Sequence, residues 1–238
     1  MSKSPVLITG VGRRIGLALA LDCLAKGYHV IGTYRTSYPE LVKLKDMGAE
    51  LYQCDFQYPE QVSQLIDAVS AKHTSLRAII HNASDWLPDS KNREDDLSTI
   101  QQMMNVHVNI PYHLNLALEP LLRAYPDGIA DIIHITDYVA ATGSKKHIAY
   151  AASKAAAENL VLSYAAKLAP EVTVNSIAPA LIIFNAQDTQ AYKEKALSKS
   201  VMAREGGVQE ILRAIHYLLQ SEYMTGRSIE LDGGRHLK

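Results

Sequence analysis

The stretch that most restricts how this chain can fold is Thr9-Gly10-Val11-Gly12-Arg13-Arg14-Ile15-Gly16. It lies between the apolar run Val6-Leu7-Ile8 and the apolar-periodic Leu17-Ala18-Leu19-Ala20-Leu21. A short aliphatic run, then glycines, then helical periodicity reads as strand, tight turn and helix. Such a turn gathers free backbone N–H groups and the positive end of a helix dipole at one point, where a phosphate can sit. Glycine belongs there because a Cβ would block the approach of a pyrophosphate, or a turn that needs positive φ. The spacing departs from G-x-G-x-x-G, since Ile15 stands where the third glycine would fall and Gly16 comes one residue later. Taken alone, the turn is equally compatible with a purely structural role.

Downstream, helix and strand signals alternate. Strands are expected at 28–34, 50–54, 76–81, 130–136, 172–176 and 228–231, and helices at 40–47, 59–72, 97–124 and 148–168. In the 59–72 segment Val62, Leu65, Ile66 and Val69 form one stripe. Strands separated by single helices predict a parallel sheet with right-handed crossovers. The 238 residues show no repeat, low-complexity tract or linker, so one domain spanning 1–238 is expected. Ligands of such sheets bind beyond the carboxyl ends of the strands. The chain places there Gly10 to Gly16, Tyr34-Arg35-Thr36, Asp55-Phe56, Asn82-Ala83-Ser84, Thr136-Asp137 and Ala178-Pro179, most of them small or polar.

Charge and cysteine usage narrow the function classes. A formal net charge of −1 leaves no global field to favour nucleic acid or an anionic membrane. The densest charged run, 91–96, mixes signs and reads as a solvated loop and helix start. No apolar run approaches a membrane span, and the first residues have no apolar signal core, so a cytoplasmic protein is expected. Cys23 and Cys54 form no C-x-x-C and lie in apolar contexts, as reduced buried thiols would. No H-x-x-x-H or Cys/His cluster suggests a metal site.

Two constellations carry chemistry. A pocket for NAD usually has a carboxylate about 20 residues after the glycines, to accept from the ribose 2′-hydroxyl. Between Val30 and Pro39 there is none; Arg35, Thr36 and Ser37 stand there, with Arg13 in the first turn. Guanidinium groups and hydroxyls suit a dianionic 2′-phosphate, so NADPH is expected over NADH, the alternative being surface arginines on a loop. The second constellation is Tyr150-Ala151-Ala152-Ser153-Lys154 within a helix, where i and i+4 share a face. The ammonium beside the phenol is expected to lower its pKa and make it a usable acid or base. A Tyr and a Lys four apart also arise on ordinary packing faces, and the Ala-rich stretch 149–157 suits close helix packing.

Together with these, His81-Asn82-Ala83-Ser84 after the fourth strand, Asn175 to Pro179 after the sixth and Asp232-Gly233-Gly234 near the end resemble the short-chain dehydrogenase/reductase family, in order and over nearly the whole chain. The resemblance implies a single Rossmann-type doubly wound parallel sheet, flanked by helices on both faces, that carries out nicotinamide hydride transfer. It implies Tyr150 as catalytic acid and Lys154 as ribose ligand and tuner of the phenol. Asp55 would read the adenine amino group, Phe56 and Ser84 would line the cofactor, and Asn82-Ala83 would pack the adenosine ribose. Gly10, Arg13, Arg14, Ile15, Tyr34, Arg35, Thr36, Pro179 and Ile182 complete the implied cofactor site.

The departures from the family pattern point further. Asp137 stands where the family usually has serine, His107 falls at its helix asparagine, Arg14 replaces the middle glycine, and Ala180 follows Pro179. Arginine in the phosphate turn with aspartate in place of serine resembles the pteridine reductase branch. For a 2-amino-4-oxo pterin, Arg14 can bridge phosphate and the O4 or N5 edge, and Asp137 can accept from ring groups or relay a proton. Trp86 would cover one face of the ring, or else serve as a packed loop anchor. The implied reaction adds a hydride to C6 of a dihydropterin, with a proton to N5 from Tyr150 or from water held by Arg14 and Asp137. The resemblance also implies a lid at 184–199 and a homotetramer paired through helices 97–124 and 148–168. The alternatives are a short-chain carbonyl or 3-oxoacyl reductase, or a non-catalytic NADPH-binding sensor.

Overall fold

The computed structural model describes residues 4–89 and 93–238. Residues 91 and 92 of the charged run lie outside the described residues, as do residues 1–3. The chain opens with β1 (Val6–Ile8), whose three side chains are all buried, then α1 (Arg14–Ala25), β2 (Val30–Tyr34), α2 (Glu40–Asp46), β3 (Glu50–Gln53), α3 (Pro59–Lys72) and β4 (Ala78–His81). Next come α4 (Arg93–Met104), a π-helical turn (Asn105–Asn109), α5 (Ile110–Arg123), β5 (Ala130–Ile135), α6 (Val139–Thr142), α7 (Ile148–Leu168) and β6 (Val172–Pro179). The chain ends with α8 (Gln190–Leu197), α9 (Val208–Gln220) and β7 (Ser228–Leu231), then a short 3₁₀ turn.

All strand pairs are parallel, in the order β3-β2-β1-β4-β5-β6-β7. The order reverses between β1 and β4, so their carboxyl ends, at Thr9 and Asn82, open a crevice. Strand alternation separates two cores. Leu7, Ile31, Ile79, Ile132 and Val174 face Val62, Leu65 and Val69 of α3, Leu114 and Leu118 of α5 and Val161 of α7. Val6, Ile8, Val30, Ile80, Ile133 and Ile177 face Leu19 and Cys23 of α1, Leu44 of α2 and Ile211 and Ile215 of α9. This is the sheet with helices on both faces that the resemblance implied. Both cysteines are buried and free, and burial pushes the thiols up, Cys23 to about 12 and Cys54 to about 11.

Several elements differ from expectation, the short α6 among them, for which no helix is expected. The segment 97–124 is interrupted by the π-helical turn, ahead of Pro111, which has no N–H to give to a regular α ladder. Strand β6 runs on to Pro179, because Ala178 and Pro179 pair with Glu230 and Leu231 of β7. Helix α9 is absent from the sequence reading, although Ile211, Leu212, Ile215, Leu218 and Leu219 form an evident apolar stripe.

Candidate active site at the strand ends

The first turn is closely built. Gly10 has φ +76°, and a Cβ there would lie 2.9 Å from Ala83 Cα; at Gly16 it would lie 2.1 Å from the Gly10 carbonyl oxygen. The Asn82 side-chain amide donates to the carbonyls of Thr9 (3.0 Å) and Gly10 (3.1 Å). The backbone N–H groups of Asn82 and Ala83 both donate to Thr9 Oγ1 at 3.0 Å. Asn82 and Ala83 therefore clamp the end of β4 onto the glycine turn.

Helix α1 begins with no side-chain cap and no acid in its first turn. Uncapped N–H groups, glycines that admit no Cβ, and the exposed guanidinium groups of Arg13 and Arg14 fit a dinucleotide pyrophosphate. Arg14 itself holds φ +54°, the left-handed conformation of the glycine it replaces, at a cost of about 1–2 kcal/mol. Its guanidinium donates to the Ile183 carbonyl (3.1 Å) and to Asn185 Oδ1, tying the turn to the segment beyond β6. Ile15 packs against the α1 core, and Tyr38 closes over Gly12, with the Arg13 guanidinium 5.8 Å from its ring. Tyr38 carries no local sequence signal, since only the fold brings it to the turn.

At the end of β2, Tyr34 is half-buried while Arg35 and Thr36 are exposed. Arg35 is not free: its Nη1 lies 2.9 Å from Asp85 Oδ2, which also accepts from Gln102 Nε2 at 3.0 Å. Asp85 is fifty residues away in sequence and comes from the Asn82–Asp89 loop. At the end of β3, Asp55 Oδ1 accepts the Gln57 N–H (3.1 Å), and the buried Phe56 gives its carbonyl to Asn105 Nδ2 (2.5 Å).

The Tyr150–Lys154 helix face meets Asp137 above β5. The Tyr150 hydroxyl donates to Asp137 Oδ2 at 2.8 Å, and the buried Lys154 donates from Nζ to the Ile135 carbonyl at 2.9 Å. The Lys154 ammonium sits 5.6 Å from the Tyr150 ring centroid. Burial, reinforced by the Asp137 charge and hydrogen bond, raises the Tyr150 phenol well above 10. This is opposite to the lowering expected from Lys154, because the carboxylate accepts the phenolic hydrogen bond while the ammonium stands off the ring. Burial also raises Asp137, against the Val139 N–H, Tyr150, Lys154 and Arg235, and it lowers Lys154 to about 8. The group as it stands holds a proton on the phenol, and its carboxyl takes one more readily than a free aspartate does.

His107, in the π-helical turn, bridges this face to the substrate side. Its Nδ1 pairs with Ser153 Oγ and its Nε2 with Ser84 Oγ, both at 2.8 Å, and its ring meets Tyr150 edge-on at 5.4 Å. Beneath, His81, His107, His134 and Lys154 line a cavity of about 10 Å³, the space of a single water. Trp86 is 61% exposed and lies against His147, ring centroids 4.2 Å apart. The same loop caps α7 through Asp89, which accepts from the N–H groups of Ile148 (2.7 Å) and Ala149 (3.2 Å). Pro179 gives its carbonyl to the Tyr138 N–H (2.9 Å), Ile182 is buried, and α8 occupies the middle of the 184–199 segment.

Ligand-type side chains do come together elsewhere, in His29, Glu50 and His73 and in Glu230, Asp232 and His236. The sequence reading missed both groups. The first joins three separate elements, and its carboxylate already takes His29, His73 and Lys72.

A parallel sheet with a glycine turn at its switch point, and a Tyr–Lys helix beside that turn, is the architecture of a single-domain nucleotide-dependent oxidoreductase. The sequence model of the family described as Enoyl-(Acyl carrier protein) reductase matches residues 10–236. The chain is 53% identical over 235 residues to dihydromonapterin reductase of Klebsiella pneumoniae, covering 98% of this chain and 97% of that one. It is 51% identical over 234 residues to dihydromonapterin reductase of Escherichia coli K12, with the same coverage. Among solved structures, FolM alternative dihydrofolate reductase 1 from Brucella canis, complexed with NADP, superposes with a TM-score of 0.87 at 27% identity, covering 100% of this chain and 95% of that one. The chain belongs to the short-chain dehydrogenase/reductase family.

Proposed function

We propose that this chain is an NADPH-dependent reductase that converts 7,8-dihydromonapterin to tetrahydromonapterin, with a side activity on dihydrofolate. The observation that carries the reading is the 2.8 Å hydrogen bond from Tyr150 to Asp137, an acid pair suited to a ring nitrogen. The identity to two dihydromonapterin reductases and the likeness to an NADP-bound alternative dihydrofolate reductase support it.

Bound NADPH supplies the hydride, delivered to C6 of the dihydropterin. The phenol of Tyr150 keeps its proton across the working range and is the donor to N5, directly or through water. Asp137, its carboxyl raised by burial, orients that phenol and restores its proton. Lys154, cationic at neutral pH, holds the cofactor ribose; Gly10, Arg13, Ile15, Asn82 and Ala83 hold the rest of the dinucleotide backbone. Arg35 and Thr36 take the 2′-phosphate, and Arg14 exchanges Ile183 and Asn185 for the pyrophosphate and the pterin edge.

Among the described residues no helix is long and apolar enough to cross a membrane. Exposed apolar side chains on α4, α5 and α7 (Leu97, Tyr112, Leu116 and Leu162) support contact between copies through these helices, and a homotetramer in the cytoplasm is the assembly and location proposed. The test is NADPH oxidation with dihydromonapterin, dihydrobiopterin and dihydrofolate, beside simple ketones and 3-oxoacyl thioesters. The highest kcat/KM is expected for dihydromonapterin; turnover confined to the carbonyl panel refutes the reading.

A further inference from the structure

The mouth of the site carries more positive charge than reduction of an uncharged pterin uses. Four cations make it: Lys146 before α7, Lys195 in the last turn of α8, Lys199 just beyond it, and Arg235 in the C-terminal turn. Backbone contacts hold them in one region. The Met202 N–H donates to the Gly233 carbonyl at 3.0 Å, and Lys238 Nζ reaches the Ser198 carbonyl at 2.8 Å, so the end of α8 is stitched to the C-terminus. The Arg235 guanidinium lies 4.9 Å from the ring centroid of Tyr138, the neighbour of Asp137. Lys146 gives its carbonyl to the Asp89 N–H at 3.2 Å, on the loop that carries Trp86.

Among the described residues none of the four has a carboxylate within ion-pair distance. Partial burial pushes Lys199 down, and Arg235, Lys195 and Lys146 add to this as like charges. Acids outnumber bases in the whole chain, so this grouping is local. Unpaired like charges raise the energy of the empty rim, and a multiply charged anion relieves it.

We propose that this rim is a subsite for the carboxylates of a glutamyl tail on the pterin C6 substituent. The inference rests on the reading of the site as a pterin reductase and assigns to it the part that would hold the charged tail of a folate. The hydroxylated side chain of dihydromonapterin is neutral and gains nothing from the rim. Dihydrofolate ends in a glutamate with two carboxylates, and each further glutamate adds one. The rim therefore selects among folates by glutamate number and leaves the monapterin reaction alone. The cofactor phosphates have their own cations in Arg13, Arg14 and Arg35.

The experiment measures Ki for folic acid and for its triglutamate as competitors of dihydromonapterin, in the wild type and in the double variant Lys195→Gln/Lys199→Gln. At low ionic strength the triglutamate is expected to bind about three- to tenfold more tightly than folic acid, from a few screened surface pairs. The double variant, and 0.5 M salt at about half a nanometre of screening length, should abolish that advantage. Both the KM for dihydromonapterin and the Kd for NADPH should stay within about twofold, as expected for cations that touch neither. A Ki indifferent to glutamate number overturns the proposal, and so does a double variant that weakens NADPH or dihydromonapterin as much as the triglutamate. If dihydromonapterin is not turned over, the activity reading fails, and direct titration of the same two folates into the enzyme–NADPH complex still decides for or against the rim.

Discussion

Acidification from pH 7 to pH 5 should cost this fold much of its stability before its surface carboxylates titrate. His81, His107 and His134 are buried and neutral. Burial pushes His81 down to about 4 and, with the Lys154 charge, His107 down to about 2. His134 is pushed well below 6.5 by burial, the adjacent His81 and Lys154. In the unfolded chain each takes a proton near pH 6.5. Since the folded values are the depressed ones, the stability is fully present above about 6.5 and drains away as the pH falls, because only the unfolded chain gains protons. Between pH 7 and pH 5 each histidine accounts for about 2 kcal/mol and the three for about 6, against a typical total of about 5–15. Asp131 and Asp137, raised by burial, protonate first in the folded state and offset part of the loss. Urea unfolding at pH 7, 6 and 5 reads the sum, and a fall of about 2 M in the midpoint is expected for an m of about 3 kcal/mol/M. His134→Gln isolates one contribution: whatever its stability at pH 7, it should lose about 1 kcal/mol per pH unit of the slope, averaged from pH 7 to pH 5. A midpoint level from pH 7 to pH 5, or a variant slope equal to that of the wild type, would refute the reasoning.

The remaining predictions concern the site. Tyr150→Phe should lower kcat by about 10²–10⁴ with the Kd for NADPH nearly unchanged, since it removes the donor and little of the cofactor grip; single-turnover rates and a cofactor titration check the two halves. Arg35→Ala should raise KM for NADPH about tenfold more than KM for NADH, as a charge-assisted phosphate contact implies, while Asp85→Asn, which frees Arg35, should lower KM for NADPH. Equal effects on the two cofactors would remove Arg35 from the 2′-phosphate.

The sequence exposed those parts of the molecule whose cause is local. Val6-Leu7-Ile8 followed by glycines could hardly be anything but a buried strand entering a turn, and Tyr150 with Lys154 needed only helical spacing to become neighbours. Asp137 beside Tyr150 was readable too, once its position thirteen residues upstream was set against the family pattern. What stayed hidden depends on contacts between distant segments. The Arg35–Asp85 ion pair joins the end of β2 to a loop after β4, and no spacing rule links them. The direction of the Tyr150 shift turns on how deeply the phenol is buried and where its oxygen points, neither of which follows from the identity of the residue four positions along. His107 shows in the sequence only as a departure from the family's helix asparagine, and its place between two serines depends on the π-helical turn.

That turn has a structural consequence of its own. Between Asn105 and Asn109 the helix spends one residue more than an α-helix would on the same arc. Because the wider turn takes up that residue on the same arc, deleting one residue there would leave an ordinary α turn with the helices on either side still in phase. A deletion within a regular helix, by contrast, turns its two halves by about 100° relative to each other. Gln102 would stay on Asp85 and Met103 in its sealed position, and α5 would stay put. What such a deletion would forfeit is the setting of His107 between Ser84 and Ser153, so the extra residue serves the site and not the packing of the helix.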